Sequence, residues 1–192
     1  MKVLGFRLGR RGDMKEQVRA IKKKFAASVW TLRHLKKIGI ASSKLTAVYI
    51  SMVRSQIEDA SVVYGPMINE AQSTAIERLQ SIALKIIWGW NKSYQTCLEE
   101  SGLERLDDRR WKALQQFAYK TSQNERYQHW FPLNEETHHD LRKREKYKIN
   151  FARHERLRRA PIYAMRRLLN QDETEIREGG RDPDEVLDAD VG

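Results

Sequence analysis

Apolar residues recur at intervals of three and four through the first part of the chain. Between Asp13 and Ile38 they fall at Val18, Ile21, Phe25, Val29, Leu32 and Leu35, which puts them on one face of a helix. Gly39 ends that run. A second helix is predicted from Ser42 or Ser43 as N-cap, with Leu45, Val48, Tyr49, Met52, Val53 and Ile57 as its inner stripe and Tyr64-Gly65-Pro66 as the closing turn. A third follows Asn69, with Gln72 in the capping-box position and Ile76, Leu79, Ala83, Ile86 and Ile87 facing inward up to Trp88-Gly89. Short pieces are expected around Tyr94 to Glu100 and after Gly102. A fourth long helix starts near Asp107, with Trp111, Leu114, Phe117 and Ala118 as its buried stripe, and stops at Asn124 and the Trp130-Phe131-Pro132-Leu133-Asn134 stretch.

The first residues follow another rule. Lys2 to Leu8 read as one short strand, with Val3-Leu4-Gly5-Phe6 as its core and Arg10-Arg11-Gly12-Asp13 as the turn behind it. A lone strand cannot satisfy its own backbone donors and acceptors, so its partners are expected in another chain or in sequence outside this one. The predicted fold class is therefore mainly α: about four to six helices, one short N-terminal strand and a disordered acidic tail.

Charge changes the picture more than any other compositional feature. The 192 residues hold 36 Lys and Arg against 26 Asp and Glu, a formal +10. Residues 171–192 contain nine acids and two arginines, a local −7, so residues 1–170 carry +17. A surface so basic suits a polyanion, and the acidic end reads as disordered. No apolar run reaches the length of a membrane helix and no signal-peptide core opens the chain, so an intracellular protein without a membrane partner is expected, nucleus and cytoplasm being indistinguishable. Cys97, the one cysteine, excludes an internal disulfide and a thiolate metal cluster.

Candidate catalytic groups are few. Asp107-Asp108 resembles a two-metal carboxylate pair, but such a pair needs a rigid turn between apolar strands, and here it opens a helix. Acids in a first helical turn suit the dipole and the free amides, which is the role expected of both. Pro183-Asp184 lies in the acidic end with no strand around it. His34, His129, His138, His139 and His154 have no helical metal spacing. The glycines of Gly9-Arg10-Arg11-Gly12 do not make a phosphate loop, and Cys97 has no evident base. No catalytic residue, metal or cofactor is expected.

The stretch from Arg142 to Asn170 carries eleven Lys and Arg and only two acids, with Tyr147, Phe151 and Tyr163 interleaved. A solvated helix face normally mixes both signs. Read as a helix, this one lines up Arg142, Lys146 and Arg153 with Arg156 nearby, and sets Tyr147 and Phe151 four apart. The predicted nucleic-acid contacts are Arg142, Lys143, Arg144, Lys146, Lys148, Arg153, Arg156, Arg158 and Arg159 to phosphates, and Tyr147 and Phe151 to bases.

The order of segments resembles the region that follows the catalytic palm in reverse transcriptases of non-LTR (LINE-type) retrotransposons. The features that carry it are Leu4-Gly5 of the strand; Val53-Arg54-Ser55, then Glu58-Asp59-Ala60-Ser61, then Tyr64-Gly65-Pro66; the Ile76-Glu77-Arg78-Leu79-Gln80 helix; and Gly102-Leu103 followed by Leu106 and Asp108-Arg109-Arg110. The later basic stretch is similar to the carboxyl ends of some invertebrate elements of this kind, so the likeness spans about residues 2 to 170.

That resemblance implies an organisation and a role. Residues 1–9 would be an orphan palm-type strand, 10–134 a thumb-like helical domain, 135–170 a basic helical extension and 171–192 the acidic tail. The fingers, the palm and its aromatic-x-Asp-Asp turn are not in this sequence, so the chain would hold template-primer nucleic acid through its backbone without polymerising. The missing palm and fingers of a longer polyprotein would be its other partner. A different class of function fits the same composition: a helical protein-interaction module whose basic end binds an acidic partner or a membrane surface.

Overall fold

The computed structural model describes residues 2–3, 6–7, 9, 13–134 and 145–179, and of these the side chains of Lys2, Val3, Arg156 and 172–179 are left undescribed. The fold is mainly helical, as the spacing predicts. By internal packing the chain divides into residues 1–113 and residues 114–192.

Strands β1 (Lys2–Val3) and β2 (Phe6–Arg7) open the first unit. They pair antiparallel, Lys2 with Arg7 and Val3 with Phe6. This corrects the single unpartnered strand: the segment is long enough to turn once and supply its own pairing. The Arg7 amide then donates to Gln17 Oε1 at 2.9 Å, and Phe6 packs against the core, so the hairpin is tied to the next helix.

That helix, α1 (Lys15–Lys37), buries Val18, Ile21, Phe25, Val29 and Leu32, the predicted stripe, and ends where Gly39 takes a φ of 87°. Next comes α2 (Ser42–Val48), which runs into a π-helical segment (Tyr49–Arg54) and then α3 (Ser55–Glu58). Leu45, Tyr49, Val53 and Ile57 are buried here, a strict interval of four. Such a stripe drifts by roughly 40° per step around an α-helix, and the wider π turn takes up part of the drift. Met52, expected on that stripe, is exposed instead. The N-cap also shifts: Ala41 holds that position without a side-chain bond, and Ser42 lies one residue inside. Ala60, in the left-handed region at φ 58°, breaks α3 from α4 (Ser61–Tyr64), and a 3₁₀ turn (Gly65–Met67) follows.

Helix α5 (Glu70–Trp88) begins with the predicted capping box, Asn69 Oδ1 accepting from the Gln72 amide at 2.9 Å and Gln72 Oε1 accepting from the Asn69 amide at 3.1 Å. At its far end the Ile87 carbonyl, which has no helical donor, accepts from Lys36 Nζ at 2.7 Å and Ser42 Oγ at 3.1 Å. Those bonds bring the C-terminal ends of α1 and α5 together. Helix α6 (Tyr94–Ser101) is capped by Ser93 and stops at left-handed Gly102.

Helix α7 (Leu106–Ser122) starts in the first unit and ends in the second. Its buried positions are Leu106, Arg110, Leu114, Ala118 and Thr121, whereas Trp111 and Phe117, expected inside, are each more than 40% exposed. The second unit then has a 3₁₀ turn (Glu125–Trp130), α8 (Glu155–Arg158) and α9 (Pro161–Gly179). Phe131, Tyr147, Ala152, Ala164, Met165 and Leu169 are buried in it. Two corrections belong here. Residues 145–154 are not helical, so the basic stretch is not one continuous helix. Helix α9 also continues to Gly179, so the acidic end is helical up to that residue, and residues 180–192 lie outside the described residues.

Candidate nucleic-acid interface

A polar network joins the helices of the first unit. Tyr49 Oη donates to Gln80 Oε1 at 2.6 Å, and Gln80 Nε2 reaches Tyr94 Oη and the Glu104 carbonyl, both at 2.9 Å. Tyr94 in turn donates to Glu77 Oε1. Buried Glu77 also accepts from the first amides of α7, Leu106 at 3.2 Å and Asp107 at 3.3 Å. A carboxylate from α5 thus sits at the positive end of α7. Burial pushes the Tyr94 hydroxyl well above the usual phenol range, with the Glu77 hydrogen bond acting the same way. Burial has the same effect on Tyr49, and on Tyr64, which is pushed up to about 12.

The neighbouring acids and bases are also engaged. Asp107 Oδ1 accepts from Ser73 Oγ at 3.1 Å and from Arg110 Nη2 at 2.7 Å, while Asp108 is exposed. Arg109 grips Glu58 with two bonds, 2.5 Å and 3.1 Å, and the hydrogen bond to Glu58 raises its affinity for the proton. Cys97 is fully buried, and burial pushes its thiol up, away from a reactive thiolate. Among the described residues no cluster of His, Cys, Asp and Glu is arranged to hold a metal. No helix among them is long and apolar enough to cross a membrane.

The predicted contact residues are distributed unevenly. Arg142, Lys143 and Arg144 lie outside the described residues. Lys146, Lys148, Arg153 and Arg158 are exposed, and Arg159 is half-buried and paired with Glu155 at 2.7 Å. Phe151 is 93% exposed between Lys148 and Arg153. Tyr147 differs: it is only 8% exposed, and its ring meets Phe131 edge-on at 5.7 Å. Its backbone is fixed by Asn170, whose Oδ1 accepts from the Tyr147 amide at 2.9 Å and whose Nδ2 donates to the Tyr147 carbonyl at 3.0 Å. The segment is held on its other side by an antiparallel bridge between Leu133 and Tyr147. Tyr147 therefore cannot stack on a base, which corrects its predicted role. Arg166 of the same basic stretch is also structural, donating to the Trp130 carbonyl at 2.7 Å and the Lys148 carbonyl at 3.0 Å, with burial lowering its proton affinity.

The periodicity of α1 directed attention to its buried face and away from its charges. That helix carries eight Lys and Arg and a single acid, Glu16. Lys15, Arg19, Lys22, Lys23, Lys24, Arg33, Lys36 and Lys37 are all exposed on it, and so are Trp30 and His34. The sign imbalance was the available signal, as strong in this helix as in the stretch after Arg142. Comparison of the chain with protein-family profiles, with characterised proteins and with solved structures finds no match.

Proposed function

We propose that this chain is a non-catalytic nucleic-acid-binding protein, the thumb-like part of a reverse transcriptase of the non-LTR retrotransposon kind, which holds template-primer nucleic acid by its sugar-phosphate backbone. The observation that carries the binding role is α1, where eight cations stand against one acid on a helix whose apolar face is anchored in the core. Cations carried on an anchored helix neutralise phosphates and release counterions without reading sequence. Lys148 and Arg153, on either side of exposed Phe151, supply a second basic segment in the other unit. The retrotransposon origin is supported by the ordered motifs between Leu4 and Arg110. The opening hairpin no longer adds to it, since that segment finds its partner within the chain.

The test is a binding and polymerisation assay on a primed RNA template. The chain is expected to bind the hybrid and to extend no primer with magnesium or manganese, because Asp107 is engaged with Ser73 and Arg110 at a helix start and not in a metal-holding turn. Primer extension abolished by Asp107→Ala or Asp108→Ala overturns the non-catalytic reading. Absence of hybrid binding at low salt would instead favour a helical interaction module for an acidic protein.

A further inference from the structure

Trp30 is 66% exposed in the middle of α1, an unusual place for the largest apolar side chain. Its ring stacks on that of His34, with centroids 5.4 Å apart and planes within 10°. The two residues are one turn apart and so share one face of the helix. On the N-terminal side Ala26 and Ala27 are exposed and small, which leaves the indole open to approach. Lys23 and Lys37 each stand seven residues from Trp30, nearly on its line and about 10 Å away along the axis. Arg33 lies beside the stack, three residues from Trp30. Among the described residues none of Lys23, Arg33 and Lys37 enters an ion pair.

We infer that the Trp30–His34 pair, flanked by Lys23, Arg33 and Lys37, is a base-stacking platform for single-stranded nucleic acid. This rests on the proposed nucleic-acid-binding role and adds a strand type and a contact to it. Cations spaced along a line with an open aromatic face between them match a strand whose phosphates run along the helix and whose unpaired base lies on the indole. An acidic peptide would use the charges but has little need of a planar stack. A membrane would need a continuous apolar face, and that of α1 is buried in the core. Trp90, also exposed, lies just beyond the α5 terminus that Lys36 holds against the end of α1.

The full chain, Trp30→Ala, Trp30→Phe and the double variant Lys23→Glu/Lys37→Glu should be titrated with a labelled oligouridine, an abasic strand of equal length and a duplex. Exposure of these side chains leaves the core untouched, so melting should not change. Trp30→Ala is expected to lose about 5- to 150-fold on the oligouridine, the range that stacking supplies, and nothing on the abasic strand. Trp30→Phe should keep most of the affinity, and the charge reversals should weaken all three ligands and flatten their salt dependence. If Trp30→Ala binds the oligouridine as the parent does, or loses as much on the abasic strand, the platform is refuted. The charge-reversal result then stands alone and still supports the broader binding role. If the parent chain binds none of the three, both the platform and that role fall.

Discussion

Glu77 shows how much one residue can organise. Its carboxylate accepts from Tyr94 and from the Leu106 and Asp107 amides, so truncation to alanine leaves three donors without their acceptor. Glu77→Ala is expected to lower unfolding free energy by about 3–5 kcal/mol and Tyr94→Phe by about 2 kcal/mol, read by denaturant titration. Equal, small losses for both would mean that the network is ornamental. The aspartates of α7 should separate in the same way. Asp107→Ala frees the buried Arg110 guanidinium and is expected to cost about 1–2 kcal/mol after allowing for the exposure of the carboxylate, whereas Asp108→Ala should stay within about 0.5 kcal/mol. Tyrosine burial sets a pH limit. Tyr64 has its pKa raised from 10.0 to about 12, and Tyr49 and Tyr94 are raised too, so the folded state favours the neutral phenols. Their contribution is complete below the unfolded value of about 10 and is lost as pH rises from there through about 12. Denaturation midpoints should hold below pH of about 10 and fall above it, with the tyrosinate absorbance of Tyr49, Tyr64 and Tyr94 appearing late and together with unfolding. Early, non-cooperative ionisation of Tyr49, Tyr64 and Tyr94 would contradict this burial.

At the level of the element, the hairpin and the Tyr147 segment invert what the sequence pattern implies. Deleting residues 1–9 removes the Phe6 contact with the core and the Arg7–Gln17 bond, so a measurable fall in melting temperature is expected. An unchanged melt would restore the unpartnered strand. Tyr147→Ala should destabilise the second unit by about 3 kcal/mol, as removal of a buried aromatic does, rather than weaken single-strand binding directly. Phe151→Ala should show the reverse. Helices α1 and α5 were readable because their apolar intervals are regular and Asn69 and Gln72 form a self-contained cap. The buried stripe of α7 was readable only at Leu114 and Ala118, because Arg110, through Nη2 to Ser73 and Asp107, and Thr121, through its hydroxyl to the Phe117 carbonyl, also lie on it, while Trp111 and Phe117 are exposed. Tyr147 was misplaced for a related reason. A tyrosine among lysines looks exposed until the Asn170 side chain, distant in sequence, supplies the partners that make burial possible. The Trp30–His34 stack sits on the outer side of a helix whose inner side carried the stronger pattern.

Across the whole molecule, charge is the property with the longest reach. The chain carries +10 in total and +17 over residues 1–170, so its field draws any polyanion at low ionic strength and is screened as salt rises. Retention of phosphates by α1 and by the Lys148–Arg153 segment predicts binding that ignores sequence, with the acidic end free to be varied as an independent control. Removing residues 180–192 deletes acids, and should raise affinity for nucleic acid if that end competes for the basic surface. The most direct test of the central claim is the affinity of the full chain for a primed RNA–DNA hybrid, measured by anisotropy from about 50 mM to about 200 mM salt. Backbone holding predicts tight binding at the low end, a straight decline of log affinity against log salt with a slope of several units, and the same slope for unrelated sequences. No binding at about 50 mM, or an affinity indifferent to salt, would contradict it.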